Sequence, residues 1–287
     1  MQKLVRRIIE SASRRTSRAA KRLKMRYSLP KKDKSDLAFV LGCQRSGTTM
    51  LIDLLGRSSF IYAYGEMDAP IMKRNCRISS YKAIERELGR TPAHLTALKP
   101  ICDSQWGNDF LDKFPEAKIV WIYRNFNDVI NSTVKKFGQQ DERMQWFADE
   151  DWDRLGWRVE RVRKDHPIIL LTQNLCRREG ANRTDAAGLM WALRTGLYYE
   201  MNLNQSPNVT LIKYEALVAD PETQIRKICD FLNIEFEPKL TADVHSRSVS
   251  KSEAPSFHPE VASVCQELQR RLDEDWKISC ANNDSQN

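Results

Sequence analysis

The sequence predicts an α/β fold in which a central parallel sheet is flanked by helices in three layers. Three observations lead there. The stretch "AFVLGCQRSGTTMLIDLL" (38–55) carries an apolar run into a glycine-bracketed loop and out into a helix-period segment. The run "AKIVWIYR" (117–124) is apolar on nearly every residue, as a strand covered on both faces should be. Runs of this kind then alternate with helix-period stretches along the chain.

In chain order, "LAFVLG" (37–42) reads as the first buried strand and 48–56 as the helix after its loop. The strand at 117–124 leads into a helix over 127–137, and a longer helix is expected over 184–203. "NVTLIKY" (208–214) is a third strand. A helix over 221–232 opens with Asp220 as N-cap and Pro221 in the first turn, and another spans 259–273. "PIILLTQNLC" (167–176) fits strand or helix, and periodicity does not choose between them.

Charge divides the chain. Residues 1–34 hold 13 Lys or Arg against Glu10 and Asp33, a local +11 within an overall +8, so the rest carries −3. This divides the protein into a basic arm (1–34), a catalytic-sized domain (35–278) and a polar tail (279–287). The arm reads as a flexible extension, or as a helix on an anionic membrane surface through Leu4, Val5, Ile8, Ile9 and Ala12. Nucleic acid is the weaker partner, since no aromatic residue interleaves the charges before Tyr27. No apolar run of adequate length follows the charges, so neither a signal peptide nor a membrane span is expected, and the cytoplasm is the expected compartment. Seven scattered cysteines with no Cys-x-x-Cys pair, and four histidines without ligand spacing, point away from disulfides and from a metal.

The loop Gly42-Cys43-Gln44-Arg45-Ser46-Gly47-Thr48-Thr49 keeps the Gly-x4-Gly frame of a phosphate loop, which makes the fold P-loop-type. Its backbone N–H groups and the following helix start favour an anion. Ser46, Thr48 and Thr49 add hydroxyls, and Arg45 a planar cation. Thr48 stands where a nucleotide-hydrolysing enzyme has lysine, which fits a donor without a magnesium-bridged polyphosphate. A second signal follows the strand 117–123. In "RNFNDVINS", Arg124 lies at the carboxyl end of the strand and Ser132 about two turns into the next helix, so both could hold one phosphate. Pairing of Arg124 with Asp128 or Asp112 is the alternative.

Together these two stretches resemble the sulfotransferase superfamily, whose donor is 3′-phosphoadenosine 5′-phosphosulfate (PAPS). "LIKYEALVADPETQIRKICDFLNIEFEP" (211–238) extends the resemblance, which covers roughly 36–275. It implies that the first loop binds the 5′-phosphosulfate and that Arg124 and Ser132 bind the 3′-phosphate. It further implies 3′-phosphoadenosine 5′-phosphate (PAP) as product, no metal, and a hydroxyl-bearing acceptor such as a carbohydrate, lipid or metabolite. The nearest likeness is to the tyrosylprotein branch and related carbohydrate enzymes, where a Gly-Glu after the first helix supplies the base. That likeness makes Glu66 the expected base, with Asp68 and His94 behind it. Arg45 and Lys99, in "ALKPICDSQW", are the expected cations at the leaving oxygen. "HSRSVSKSEAP" (245–255) is similar to the family's late cofactor loop through Ser250 and Lys251, and Tyr214 is placed against adenine. The Arg-Lys-Gly triplet of cytosolic small-molecule enzymes is missing, which weakens a phenol or steroid reading. The aromatic, acidic segment 138–161 is expected to face the acceptor. The competing readings are a P-loop nucleotide kinase or hydrolase, and a non-catalytic nucleotide-binding protein docked to membrane by its arm.

Overall fold

Among the described residues, five strands form one sheet: β1 (Asp36–Gly42), β2 (Ile61–Tyr64), β3 (Leu95–Leu98), β4 (Lys118–Tyr123) and β5 (Val209–Lys213). All pairings are parallel, in the order β2-β3-β1-β4-β5, with Ala38 level with Ala97 on one side and Val40 level with Val120 on the other. The computed structural model describes residues 18–30, 32–73, 75–138, 140–178, 182–242, 244 and 253–284.

The helices are α1 (18–28), α2 (Thr48–Leu55), α3 (Tyr81–Leu88), α4 (Gly107–Lys113), α5 (Phe126–Phe137) and α6 (Gln140–Ala148). Then come α7 (Trp152–Leu155), α8 (Pro167–Arg177), α9 (Arg183–Glu200), α10 (Tyr214–Ala219), α11 (Pro221–Leu232) and α12 (Pro259–Asp284). Successive strand residues point to opposite faces, and here both faces are buried. Phe39, Leu41, Trp121 and Tyr123 join one core with Val129, Ile130 and Trp191 from α5 and α9, and with Val261 and Leu272 from α12. Ala38, Val40, Val120 and Ile122 join the other with Leu51 and Leu55 of α2 and with Leu217 and Ile225 of α10 and α11. This is the three-layer α/β arrangement that the doubly apolar strands predict.

The three expected strands and the helices after them fall within a few residues of their predicted bounds. Asp220 caps α11 as expected, accepting from Thr223 N at 3.2 Å. The open segment 167–176 is helix α8, started by Pro167 and by a His166 ring nitrogen that accepts from Ile168 N at 3.2 Å. The last helix runs beyond residue 273 to Asp284.

The basic arm differs from a free extension over residues 18–28. There α1 is seated on the domain, with Met25 buried, Lys21 donating to Ile61 O at 2.8 Å, and Arg22 paired with Glu87. The apolar stripe Leu4–Ala12 lies outside the described residues. Among the described residues, no helix is long and apolar enough to cross a membrane, and no group of His, Cys, Asp and Glu could hold a metal ion.

Candidate active site at the carboxyl ends of β1 and β4

β1 sits between β3 and β4, and the connections leave β1 and β4 toward opposite edges of the sheet. Such a switch point opens a crevice beyond the strands' carboxyl ends. The loop after β1 enters it under tight steric limits. A Cβ on Gly42, at φ +143°, would meet Ile122 O at 2.3 Å. One on Gly47, at φ +97°, would meet Tyr214 Cδ2 at 2.3 Å. Gly47 caps α2 and brings no side chain of its own to satisfy the helix start. The first-turn N–H groups, which have no partner within a helix, are therefore available to an anion.

The loop after β4 completes the crevice. Arg124 is nearly buried, pairs with Asp128 at 3.0 Å, and stacks over the Tyr214 ring at 4.5 Å from its centroid. Asn125 caps α5 by accepting from Asn127 N at 3.0 Å. Arg45 Nε donates to Ser132 Oγ at 2.9 Å, so one hydrogen bond joins the two motifs across the crevice.

Lys99 comes from a third element, just past β3. It is 2% exposed, and its Nζ donates to Thr49 Oγ1 at 2.6 Å and to Glu66 Oε1 at 2.7 Å. Glu66, beyond β2, also accepts from Cys76 Sγ at 3.8 Å. Two cavities meet here. One, of about 720 Å³, is lined by Arg45, Gly47, Thr49, Glu66, Arg124 and Tyr214, among others. The other, of about 760 Å³, is lined by Lys99, Arg18, Lys21, Arg57 and Asp68, and again by Thr49 and Glu66. In the first, Arg45, Arg124, Lys135 and Lys136 outnumber Glu66 and Asp128, which favours a multiply charged anion. Beneath the loop, burial lowers the Arg194 guanidinium to about 10 and pushes the Cys43 thiol up to about 11. Arg194 places a buried cation beside the loop, held by Gln105 Oε1 at 2.9 Å.

The structure brings Arg45, Gly47, Thr48, Thr49, Glu66, Arg124, Ser132 and Tyr214 together around the first cavity, with Lys99 bridging to the second. Ser46 is different: its side chain is fully buried, lines neither cavity, and its Oγ has no hydrogen-bond partner among the described residues. Asp68 lies on the second cavity but accepts from Gly65 N at 2.6 Å. His94 precedes β3 at the amino end of the sheet and packs on Phe60, away from the crevice. Ser250 and Lys251 lie outside the described residues. The described part of 138–161 lines neither of these two cavities. Phe147, Leu155 and Val159 build a small core with Trp146 and Trp152 against them. Sequence reasoning missed Asn131, Lys135 and Lys136 on α5, and Cys76. The spacing of Asn131 and Lys135, one helical turn apart on the helix carrying Ser132, was the signal available for the first two.

The sulfotransferase domain family matches residues 35–279. The chain belongs to the sulfotransferase family. Members of this family take PAPS as donor and release PAP. No curated protein matches the chain. Among solved structures, a sulfotransferase domain from the curacin biosynthetic pathway is 17% identical, covering 83% of this chain and 99% of its own, with a TM-score of 0.48. A sulfotransferase from Alicyclobacillus acidocaldarius is 18% identical, covering 83% and 91%, with a TM-score of 0.44. The mouse sulfotransferase SULT7A1, complexed with PAP, is 15% identical, covering 92% and 90%, with a TM-score of 0.42. Membership of the sulfotransferase family rests on the domain match.

Proposed function

We propose that this sulfotransferase uses PAPS to sulfate a hydroxyl of a sugar, glycolipid or small metabolite in the cytoplasm, with Glu66 as general base. The observation that carries the reading is the Lys99 bridge: one buried ammonium touches both Thr49 of the anion loop and Glu66, at the wall common to two cavities. The first cavity fits the donor. The glycine cradle of the loop, the α2 start and the Arg45, Thr48 and Thr49 side chains would hold the phosphosulfate. Arg124 and Ser132 would hold the 3′-phosphate, with Tyr214 beside the nucleotide. The second cavity is assigned to the acceptor, and Ser250 and Lys251 remain assigned to the nucleotide by family likeness.

Bound PAPS supplies a sulfuryl group whose bond to the 5′-phosphate oxygen breaks as the acceptor oxygen bonds to sulfur. Glu66 takes the acceptor proton, a contribution of about 10²–10⁴-fold for a positioned base. Lys99 and Arg45 place positive charge where the leaving oxygen gains its negative charge, and in a closed site such a charge is commonly a large catalytic term. The same bridge argues against a magnesium nucleotide. In phosphate-loop hydrolases the hydroxyl equivalent to Thr49 holds the metal, whereas here it accepts from an ammonium.

The test is calorimetric titration with PAP, without magnesium, on wild type and Arg124→Ala, followed by turnover of radiolabelled PAPS by Glu66→Gln. Binding that weakens at least ~10-fold in Arg124→Ala is expected. So is turnover that falls ~100-fold or more in Glu66→Gln, with PAP binding kept. A folded wild type that ignores PAP and binds ATP with magnesium would return the chain to the kinase or hydrolase reading. PAP binding with turnover indifferent to Glu66 would leave a nucleotide-binding protein with another base or none.

A further inference from the structure

We infer that α1, which precedes the first residue of the matched sulfotransferase domain, is a working part of the active site: Arg18 clamps the turn that carries Glu66, and Arg18 and Lys21 wall the acceptor cavity. The inference rests on Glu66 being the base, as proposed above.

The clamp is built from few atoms. β2 ends at Tyr64, and the chain turns through Gly65–Asp68, closing with Asp68 N donating to Gly65 O at 3.4 Å. Asp68 Oδ2 accepts from Gly65 N at 2.6 Å. Arg18 Nη2 donates to Ala63 O at 2.6 Å and lies 2.7 Å from the same Asp68 Oδ2. One guanidinium nitrogen thus ties the end of β2 to the closing residue of the turn, and Glu66 sits between the tied points. A catalytic side chain has to be held within about 0.5 Å of its working geometry by its supporting contacts. The turn has a glycine at its first position, and Arg18 reaches it from outside.

The rest of α1 is organised to deliver that contact. Arg18, Lys21, Arg22 and Met25 follow the i, i+3, i+4, i+7 spacing of a single helix face. Met25 is buried in the core, and Lys21 donates to the carbonyls of Gly56 and Ile61. Arg22 pairs with Glu87 and donates to Tyr64 Oη at 3.2 Å. The Arg18 guanidinium also lies 5.0 Å from the Tyr64 ring centroid, and that of Arg22 4.9 Å from the Tyr62 ring centroid. The outer residue of this face, Arg18, and its neighbour Lys21 border the 760 Å³ cavity that runs to Thr49, Glu66 and Lys99. A helix serving only to cover the sheet edge has no need to reach that cavity. Arg18 is on this reading a positioning residue, acting on the acceptor proton through Glu66.

Two measurements on the full chain test the clamp. The first is release of inorganic sulfate from radiolabelled PAPS, with water as the acceptor, in wild type, Arg18→Ala, Glu66→Gln and the double variant, alongside PAP affinity. Arg18→Ala is expected to slow release ~10-fold while PAP affinity stays within ~2-fold, and to cost little more in the Glu66→Gln background, since residues acting as a unit are non-additive. Equal slowing in both backgrounds, or none in wild type, overturns the inference. The second is amide hydrogen exchange over residues 63–68. Arg18→Ala should speed it and Arg18→Lys should restore part of the protection. Lys24→Ala, an exposed α1 residue, should match wild type. Unchanged exchange in Arg18→Ala overturns the clamp whatever the activity shows. A wild type that neither binds PAP nor releases sulfate defeats the reading behind it instead.

Discussion

Replacing Gly47 by alanine should damage stability and donor binding together, and the size follows from the geometry. At φ +97° an alanine sits in a region that residues with a side chain rarely occupy, a strain of about 1–3 kcal/mol. Its Cβ would also lie 2.3 Å from Tyr214 Cδ2 and 2.8 Å from Cε2, well inside ordinary van der Waals contact. Tyr214 is 5% exposed, so its ring has little room to retreat, and overpacking of this kind costs about 1–3 kcal/mol. With partial relaxation, a loss of about 2–4 kcal/mol is expected. Gly138 is the internal reference. Its φ is +66° but nothing lies within 4 Å of an added Cβ, so Gly138→Ala should cost backbone strain alone, about 1–3 kcal/mol, without the overpacking. Urea unfolding of both variants measures the difference. Because Arg124 stacks on the Tyr214 ring, a displaced ring moves the cation as well. PAP affinity in Gly47→Ala should fall ~10-fold, equivalent to about 1.4 kcal/mol. A Gly47→Ala protein no less stable than Gly138→Ala, or one that binds PAP like wild type, would refute the reasoning.

Three other outcomes are expected. Lys99→Met should fold and bind PAP while PAPS turnover falls ~10²–10³-fold, the usual cost of a lost electrostatic stabiliser; wild-type turnover would remove Lys99 from the mechanism. Burial works to raise the Glu237 carboxyl, but hydrogen bonds from Lys239 and from Ser59 hold it down at about 2, against 4.5 ordinarily. Its folded value lies below its unfolded one, so its contribution is present above pH ~4.5 and lost as pH falls toward 2. The urea midpoints of wild type and Glu237→Gln should therefore converge across that interval, and a constant gap would show that the carboxylate is not responsible. Cys76 is held above the usual thiol range first by burial and then by the Glu66 charge. Glu66→Gln should speed its alkylation at pH 7.5, read by peptide mass spectrometry, whereas an unchanged or slower rate would mean that Glu66 carries no charge next to it.

What was legible in the sequence was whatever repeated within a short window. β1, β4 and β5 could be read because their residues are apolar on both faces or nearly so, and the glycine loop because two fixed glycines bracket it. β2 and β3 were not, since four residues offer no period to count, and their places come from pairing alone, β3 with β1 and β2 at the edge with β3. Neither reading of the arm, as a flexible extension or as a helix on a membrane surface, foresaw the seating of α1, because the charge block of 1–34 hides a four-residue helical stripe whose cations are satisfied by carbonyls and carboxylates far along the chain. Ser46 shows the limit of reading a loop by residue type: the sequence displays a hydroxyl in the phosphate loop, and only the structure shows that this side chain is buried while Thr48 and Thr49 line the first cavity. The aromatic segment 138–161 was expected to face the acceptor from its position after α5, and what its composition did not show is that Phe147, Leu155 and Val159 form a small core with Ile169 and Leu193.

The missing lysine of the phosphate loop is explained by where this chain's cation comes from. A lysine within the loop moves with α2 and serves a phosphate chain that a metal also holds. Lys99 instead extends from the end of β3, anchored by its own N–H to Tyr64 O at 3.0 Å and followed directly by Pro100, which cannot donate a backbone hydrogen bond. Its side chain crosses to α2 and stops on Thr49, the hydroxyl that a metal-using loop would give to magnesium. The same ammonium holds Glu66. Removing a lysine from the loop and supplying one from β3 therefore does two things at once. It occupies the hydroxyl that a metal would use, and it ties the anion loop to Glu66, which under the proposed mechanism couples the charge near the leaving group to the position of the base. A loop-borne lysine at position 48 would meet neither condition, because Thr48 lines the first cavity only and Glu66 is reached by Lys99 from the side of β2 and β3. On this argument Thr48→Lys should not convert the protein to a magnesium-dependent hydrolase unless Lys99 is also removed. Magnesium-dependent ATP hydrolysis by the single variant would show that Lys99 does not exclude the metal.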